Sequence, residues 1–229
     1  MDSQADARIF LETLRLTKAD ATTWTYEISS NSRTTIAVVR EALSRMLGRD
    51  VVEQVQLASG ERLKLAFSAA RASGLLEATR TLDWREFERF AEECLRESNF
   101  RTERNVRLKD GKKRWEIDVV AKRGALLLCF DCKHWAHSSP QRLRDALVHQ
   151  KKATMGLISM KRQQLMESMD FWALPVVLTL FAANEGAKED GVLVSVDRLQ
   201  DLLQHLTPYD SEIPFIRPEQ SLSNELLGP

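Results

Sequence analysis

Apolar and polar positions alternate most clearly in the second half of the chain. Residues 84–99 carry apolar side chains at helical spacing, and three strand-like stretches follow them, at 102–108, 113–121 and 125–133. An Asp110-Gly111 pair separates the first two stretches, as in a hairpin turn. The apolar run 126–130 predicts a strand buried on both faces.

Beyond these strands, the pattern predicts one long helix and a second pair of strands. Ser139 followed by Pro140 is typical of a helix start, and the helical pattern continues at least to residue 157. The remaining elements are expected to be two strands and a terminal helix, at 174–181, 191–196 and 197–206. The predicted order from residue 82 is therefore αβββαββα.

The first 80 residues predict a mixed, mostly helical module. Its expected elements are helices at 7–16, 35–46 and 61–72, with strands at 21–29 and 51–58. Ser32 or Thr34 would cap the second helix. The pattern suits a winged-helix DNA reader and equally a small α+β cap. We expect three regions: this module at 1–80, a main domain at 81–206 and an irregular tail at 207–229.

Composition indicates a folded protein in a reducing compartment. The chain has 229 residues, is 43% hydrophobic, and balances 33 basic against 33 acidic residues. These values argue against disorder, collagen-like repeats and disulfide scaffolds. Three cysteines, no signal-like start and no apolar run of about 18 residues lead us to expect a cytoplasmic protein without a membrane partner.

Acidic residues near the ends of two predicted strands suggest a metal site. Asp131 and Lys133 project from the same strand face, with Cα atoms about 6.6 Å apart. Asp118 meets Asp131 if the strands pair as a hairpin, with Ile117, Val119 and Ala121 on the opposite face. Converging carboxylates favour a bound cation, and Mg²⁺ suits oxygen ligands. Lys133 would then stabilise charge on phosphate.

Two helices contribute further candidates. In helix 84–99, Glu88 borders the apolar face and is the acid best aimed at the sheet, whereas Glu86, Glu93 and Glu97 lie opposite. In the later helix, Gln150 falls within the apolar face and needs a hydrogen-bond partner. That partner is either a backbone group or, in the functional alternative, a group supporting the metal ligands or a DNA strand. Lys151 borders the same face.

These residues resemble the PD-(D/E)xK nucleases, which have the restriction-endonuclease-like fold. The resemblance covers about 82–200 and is closest to Mrr-like restriction enzymes and archaeal Holliday-junction resolvases. It rests on four segments: Phe87-Glu88, Ser98-Asn99-Phe100, Glu116-Ile117-Asp118-Val119-Val120-Ala121 and Cys129-Phe130-Asp131-Cys132-Lys133. The implied fold is α/β, an αβββαβ core with a mixed central sheet flanked by helices.

The resemblance also implies roles for individual residues. Glu88, Asp118, Asp131 and the backbone carbonyl of Cys132 would hold Mg²⁺, for which Mn²⁺ can substitute. Lys133 would be the catalytic lysine, and Gln150 is similar to the glutamine of RecB-type members. Asp131 stands where many relatives carry Glu, and Thr154 replaces the aromatic residue that usually accompanies the glutamine. Many relatives act as dimers, so a homodimer is possible.

Local charge supports DNA as the substrate. Residues 101–114 contain seven basic and two acidic residues, and 142–162 contain six basic residues and one acid. Flanking a metal site, such runs would contact phosphates and make binding salt-dependent. The expected DNA contacts are Arg107, Lys112, Lys113, Arg114 and Lys151.

Alternatives remain at this point. Cys129, Cys132, His134 and His137 also suit a zinc half-site, although a strand would point the two cysteines to opposite faces. Trp115 and Trp135 would stack on bases or, more simply, pack in the core. The main hypothesis is a metal-dependent endonuclease that hydrolyses DNA, of restriction or repair and recombination type. The alternative is a DNA-binding or regulatory module that keeps the nuclease fold without cleavage.

Overall fold

The computed structural model describes residues 4–18, 21–110, 113–135, 137–165, 171–181, 185–208 and 210–217. Contacts between Cα atoms divide the chain into two compact units, Met1–Phe90 and Ala91–Pro229. The division falls inside one helix, ten residues beyond the boundary expected from the sequence. Each unit is described by itself.

The first unit is mostly helical. In chain order its elements are α1 Gln4–Leu16, β1 Thr23–Trp24, α2 Thr25–Ser32, α3 Ile36–Leu47, β2 Gln54–Val55, α4 Ser59–Ser73, α5 Leu75–Thr79 and the first half of α6, Trp84–Glu97. The strands β1 and β2 pair antiparallel. Ile9, Phe10, Leu14, Leu43 and Leu65 are fully buried. The predicted helices of this module are confirmed.

The predicted strand at 21–29 is wrong beyond Trp24. The Glu27 carboxylate accepts hydrogen bonds from the Thr23 hydroxyl and the Trp24 backbone N–H, at 2.7 and 3.0 Å. These bonds satisfy donors at a helix start, so α2 begins at Thr25 despite the β-branched residues before it. The predicted strand at 51–58 shortens likewise to Gln54–Val55.

The cap of α3 also differs from the prediction. Thr35, rather than Ser32 or Thr34, accepts a side-chain hydrogen bond from the Val38 N–H, at 3.4 Å. Arg33 has a left-handed backbone with φ 55°, which ends α2 and turns the chain two residues before the cap of α3. The cap therefore lies one residue later than the sequence pattern indicates.

A buried ion pair lies within the first unit. The Arg62 side chain is 3% exposed and donates hydrogen bonds to the carbonyls of Leu14 and Thr81, the Thr17 hydroxyl and the Glu86 carboxylate. Asp83 and Glu86 form reciprocal hydrogen bonds at the start of α6, each carboxylate accepting from the other residue's N–H. Glu86 was expected on the exposed side of α6, and this prediction is wrong because Arg62 binds its carboxylate.

The second unit holds a six-stranded mixed sheet. Its elements after α6 are β3 Arg101–Asp110, β4 Lys113–Arg123, β5 Leu126–Lys133, α7 Pro140–Leu165, β6 Trp172–Thr179, β7 Gly186–Lys188, β8 Gly191–Ser195 and α8 Leu199–His205. The strand order is β3-β4-β5-β6-β8-β7. β3, β4 and β5 pair antiparallel, whereas β5, β6 and β8 pair parallel. The predicted αβββαβ core is confirmed.

Helix α7 covers one face of this sheet. Ala153, Leu157 and Ile158 pack with the buried side chains of β3, β4 and β5. A Cβ on Gly156 would meet the Trp115 ring at 3.4 Å, so glycine at this position allows the ring to lie against the helix. Trp115 therefore packs in the core, as the simpler alternative predicted.

The start of α7 follows the sequence prediction. The Ser139 hydroxyl accepts from the Arg142 N–H at 3.3 Å, and the helix begins at Pro140.

Near the other end of the chain, Ile216 exchanges backbone hydrogen bonds with Ala173 of β6, so the tail packs on the sheet at this point. Among the described residues, no helix is long and apolar enough to cross a membrane.

Candidate active site

The two predicted metal-binding aspartates lie on neighbouring strands. The ladder between β4 and β5 ends with Val119 opposite Phe130, so Asp118 and Asp131 are the next residues in register. The Asp118 carboxylate accepts a hydrogen bond from the Cys132 backbone N–H at 2.7 Å. The side chain of Asp118 thus reaches across to β5, between Asp131 and Lys133.

Asp131 and Lys133 form an ion pair on one face of β5. The Lys133 Nζ lies 2.7 Å from an Asp131 carboxylate oxygen. Asp131 is 7% exposed, and the Lys133 side chain is 30% exposed. The buried carboxylate therefore holds the amine at the solvent boundary, beside Asp118.

The regular alternation of β4 breaks at Asp118. The ladder with β3 passes from Arg104 opposite Val119 to Val106 opposite Ile117. Asn105, which lies between these pairs, has a positive φ of 53°. Ile117 and Val120 pack in the same apolar cluster, although regular alternation would place them on opposite faces of the sheet. The predicted face shared by Ile117, Val119 and Ala121 is wrong for this reason.

Gln150 is completely buried on α7 and hydrogen-bonds to β5. Its amide nitrogen donates to the Cys129 carbonyl at 2.8 Å. The backbone partner, one of the two alternatives, is therefore the one observed. The Gln150 Oε1 atom has no hydrogen-bond partner among the described residues. Gln150 ties α7 to the strand that carries Asp131 and Lys133.

Three acids of α6 are buried instead of one. Glu86, Glu88 and Glu92 are each 6–7% exposed. Glu92 accepts hydrogen bonds from Arg96 and Thr102 and pairs with Arg104 at 2.7 Å, which ties α6 to β3. Glu88 belongs to the first unit, whereas the other predicted site residues lie in the second. Its role stays a prediction.

The donor atoms suit a divalent cation of the magnesium type. Within the described ranges, no three or more His, Cys, Asp or Glu side chains lie close enough together to hold a metal ion. The metal hypothesis therefore rests on Asp118 and Asp131. Mg²⁺ is commonly held by one or two carboxylates, with water and substrate phosphate completing its shell. Two neighbouring carboxylates, one buried and one partly buried, fit that requirement.

The predicted DNA contacts differ in their surroundings. Arg107 is exposed and lies 3.4 Å from the Glu116 carboxylate, and Arg114 is exposed. Lys151 pairs with Asp190 at 2.9 Å. Lys112 lies outside the described residues, and the side chain of Lys113 is likewise not described.

The cysteines and Trp135 adopt the structural roles considered from the sequence. Cys129 and Cys132 are buried in β5, three residues apart, so their side chains leave opposite faces of the strand. Trp135 packs against an apolar cluster formed by α7, β6 and β8. The Arg142 guanidinium also covers its ring.

Thr179 is a site neighbour that sequence reasoning missed. It ends β6 and is directly opposite Lys133 in the parallel ladder. Its side chain is fully buried, and the described residues offer its hydroxyl no hydrogen-bond partner. A polar residue at the end of the apolar run 173–178 is the available signal. Only strand pairing places it beside Lys133.

Replacing Thr179 with valine is expected to raise the free energy of unfolding by about 1 kcal/mol, because the change removes an unsatisfied buried hydroxyl at nearly constant volume. Thr154 is the matched control, since it is equally buried and its hydroxyl donates to the Gln150 carbonyl at 2.9 Å. Thr154→Val should not stabilise the protein. Urea denaturation measures both, and equal destabilisation would show that the Thr179 hydroxyl is satisfied in solution.

Comparisons with known proteins agree with the sequence resemblance. Residues 79–169 match the family described as restriction endonuclease, the Mrr catalytic domain. An uncharacterized protein from Archaeoglobus fulgidus is 29% identical over 137 residues, which cover 58% of this chain and 98% of that protein.

Two solved structures show only distant similarity. A protein of unknown function, AF1548, is 16% identical with a TM-score of 0.29, covering 64% of this chain and 68% of its own. Protein VC1899 from Vibrio cholerae is 12% identical with a TM-score of 0.38, covering 91% of this chain and 51% of its own. Neither similarity is strong enough to support a functional argument.

The family match and the fold coincide. The matched residues, 79–169, contain α6, the antiparallel strands β3, β4 and β5, and α7. They also contain Asp118, Asp131 and Lys133, which the structure brings together where the ladder between β4 and β5 ends. Residues 79–169 are therefore similar, in sequence pattern and in order of elements, to the restriction endonuclease family of the PD-(D/E)xK superfamily.

Proposed function

We propose that this protein is a divalent-metal-dependent endonuclease that hydrolyses phosphodiester bonds in DNA. One observation carries the proposal: the Asp118 carboxylate accepts a hydrogen bond from the backbone N–H of Cys132, between Asp131 and Lys133, which are themselves ion-paired. A buried acid, a partly buried acid and a partly exposed amine thus lie together, within residues that match a nuclease family.

Asp118 and Asp131 would hold the metal, together with the backbone carbonyl of Cys132. Bound Mg²⁺ or Mn²⁺ supplies Lewis acidity at a phosphoryl oxygen and lowers the pKa of water. The protein's own part is to hold both carboxylates close together. The N–H of Cys132 fixes Asp118, and the Lys133 amine offsets the charge of Asp131.

Lys133 would orient the attacking water and stabilise negative charge on the scissile phosphate. Its partial exposure gives the amine access to solvent and substrate, while Asp131 limits its motion. Gln150 supports this arrangement from α7, because the hydrogen bond from its amide to the Cys129 carbonyl fixes β5 two residues before Asp131. For Glu88, the family resemblance implies a metal-binding role.

An assay with Asp118→Asn tests the proposal. Asparagine keeps an acceptor for the Cys132 N–H but removes the charge, so we expect DNA binding and folding to survive while cleavage falls at least about a hundredfold. Cleavage of plasmid and duplex DNA should require Mg²⁺ or Mn²⁺ and stop with chelator. Asp201→Asn, on the exposed surface of α8, is the control. Equal cleavage by Asp118→Asn and the parent protein would reject the assignment.

The same assay identifies the preferred DNA substrate and distinguishes an endonuclease from a DNA-binding module that does not cleave. A panel of linear duplex, methylated duplex, flap, four-way junction and single strand distinguishes restriction from repair and junction resolution. DNA binding without cleavage of any substrate would favour a regulatory module. We further infer a cytoplasmic location, supported by three cysteines that form no disulfide. We also infer a homodimer that cuts both strands, which sedimentation with and without DNA would test.

A further inference from the structure

Trp135 is held close to the candidate active site by apolar packing. Its partly buried ring packs against an apolar cluster made of Leu143, Ala146 and Leu147 of α7, Val177 of β6 and Leu193 of β8. In the ladder between β5 and β6, Val177 is the partner of Asp131. The ring therefore lies on the sheet face that carries Asp131 and Lys133.

Two cations lie around this one ring. The Arg142 guanidinium carbon is 3.8 Å from the centroid of the Trp135 ring, and the Lys133 Nζ is 5.7 Å from the same ring. The two positive charges are therefore within about 10 Å of each other. Successive phosphates of one DNA strand advance by about 3.4 Å along the helix axis. The two cations are close enough to contact neighbouring phosphates of a single strand.

Within the part of the chain that the structure describes, no acidic side chain pairs with Arg142. Asp145, one helical turn further along α7, instead accepts a hydrogen bond from Gln141 at 2.7 Å. By contrast, Lys151 pairs with Asp190, and Arg107 pairs with Glu116. A phosphate would have to compete with a carboxylate for either of those two side chains, but not for Arg142.

We propose that Arg142, positioned by stacking on Trp135, binds a backbone phosphate next to the scissile phosphate. This inference rests on the proposed function, because it takes DNA as the ligand. A stacked guanidinium loses little conformational freedom on binding, and its planar donors match phosphate oxygens. Trp135 serves as a positioning residue that acts through Arg142, and one of its faces is covered and closed to bases.

DNA binding measured across a range of salt concentrations tests this proposal. With duplex DNA in chelator, Arg142→Gln should weaken binding several-fold and lower the slope of log K against log salt by about 0.9. Trp135→Leu should weaken binding although the net charge is unchanged. Trp135→Phe keeps an aromatic ring and should bind almost as well as the parent protein, which also controls for misfolding.

Arg217 provides the matched control. Its guanidinium carbon lies 4.0 Å from the ring centroid of Trp172, the first residue of β6. The candidate site lies beside the other end of that strand, where Thr179 pairs with Lys133. Arg217→Gln removes the same charge from the same kind of stack and should leave affinity and slope unchanged. Equal effects of Arg142→Gln and Arg217→Gln would overturn the inference, as would full affinity in Trp135→Leu.

Binding and cleavage distinguish this inference from the proposed function. If Arg142→Gln weakens binding but the parent protein cuts no DNA, the phosphate contact stands and the endonuclease assignment fails. If the parent protein cuts DNA and Arg142→Gln binds normally, only the phosphate contact fails. A parent protein that binds no DNA would overturn both.

Discussion

Lys133→Met is expected to lower the single-turnover rate of DNA cleavage by at least about a hundredfold while DNA binding changes less than about threefold. Methionine keeps most of the side-chain length but removes the charge that would stabilise the scissile phosphate and orient water. Loss of a single such donor typically costs about 10²–10³ in rate. The assay compares single-turnover rates at saturating protein with Mg²⁺.

Stability should change much less than activity in this variant. Lys133 is about one-third exposed, so most of its pairing energy with Asp131 is screened by solvent. Lys122→Met is the control. Lys122 is exposed and lies near the C-terminal end of β4, four residues beyond Asp118. Equal cleavage by the two variants would contradict the catalytic role of Lys133. A parallel loss of cleavage and folded protein would indicate a structural role instead.

Glu86→Gln is expected to destabilise the first unit by about 3–5 kcal/mol. Removing one member of a buried ion pair leaves an uncompensated charge, here the Arg62 guanidinium at 3% exposure. Glutamine can still accept from the Asp83 N–H at the start of α6, so the loss reports chiefly on Arg62. Urea denaturation followed by circular dichroism measures the change.

An exposed pair in the same unit is the control for Glu86. Glu77 and Arg80 pair at 3.0 Å, and their side chains are 42% and 45% exposed. Glu77→Gln should cost less than about 1 kcal/mol, because exposed ion pairs contribute little. If the two substitutions lower the urea midpoint equally, Arg62 is compensated by its other hydrogen bonds and the buried pair is not essential.

The contrast between Glu86 and Glu88 shows where helical patterns are insufficient. A helical wheel places Glu86 opposite the apolar face, yet both carboxylates are buried. The wheel assumes one buried side, whereas Arg62 supplies a polar partner 24 residues earlier in the chain. The spacing Asp83-x-x-Glu86, typical of a capping box, was the local signal for a tethered Glu86.

Strand periodicity was more reliable where apolar residues dominate. The run 126–130 predicted β5 because a strand buried on both faces requires continuous apolar side chains, and β5 is buried along almost its whole length. The same reasoning failed for 21–29, where Glu27 caps α2. It also failed for the face of Ile117, where the positive φ of Asn105 accompanies a break in the ladder.

By itself, the sequence determined the order of elements in the core, the start of α7 and the presence of Asp131 and Lys133 on one strand face. These features depend on residues a few positions apart, whose geometry follows from helix and strand repeats. Only the tertiary structure decided that Asp118 bonds to Cys132, that Thr179 lies opposite Lys133 and that Arg142 covers Trp135. Those contacts join separate elements, and the pairing register and packing that create them are properties of the whole sheet.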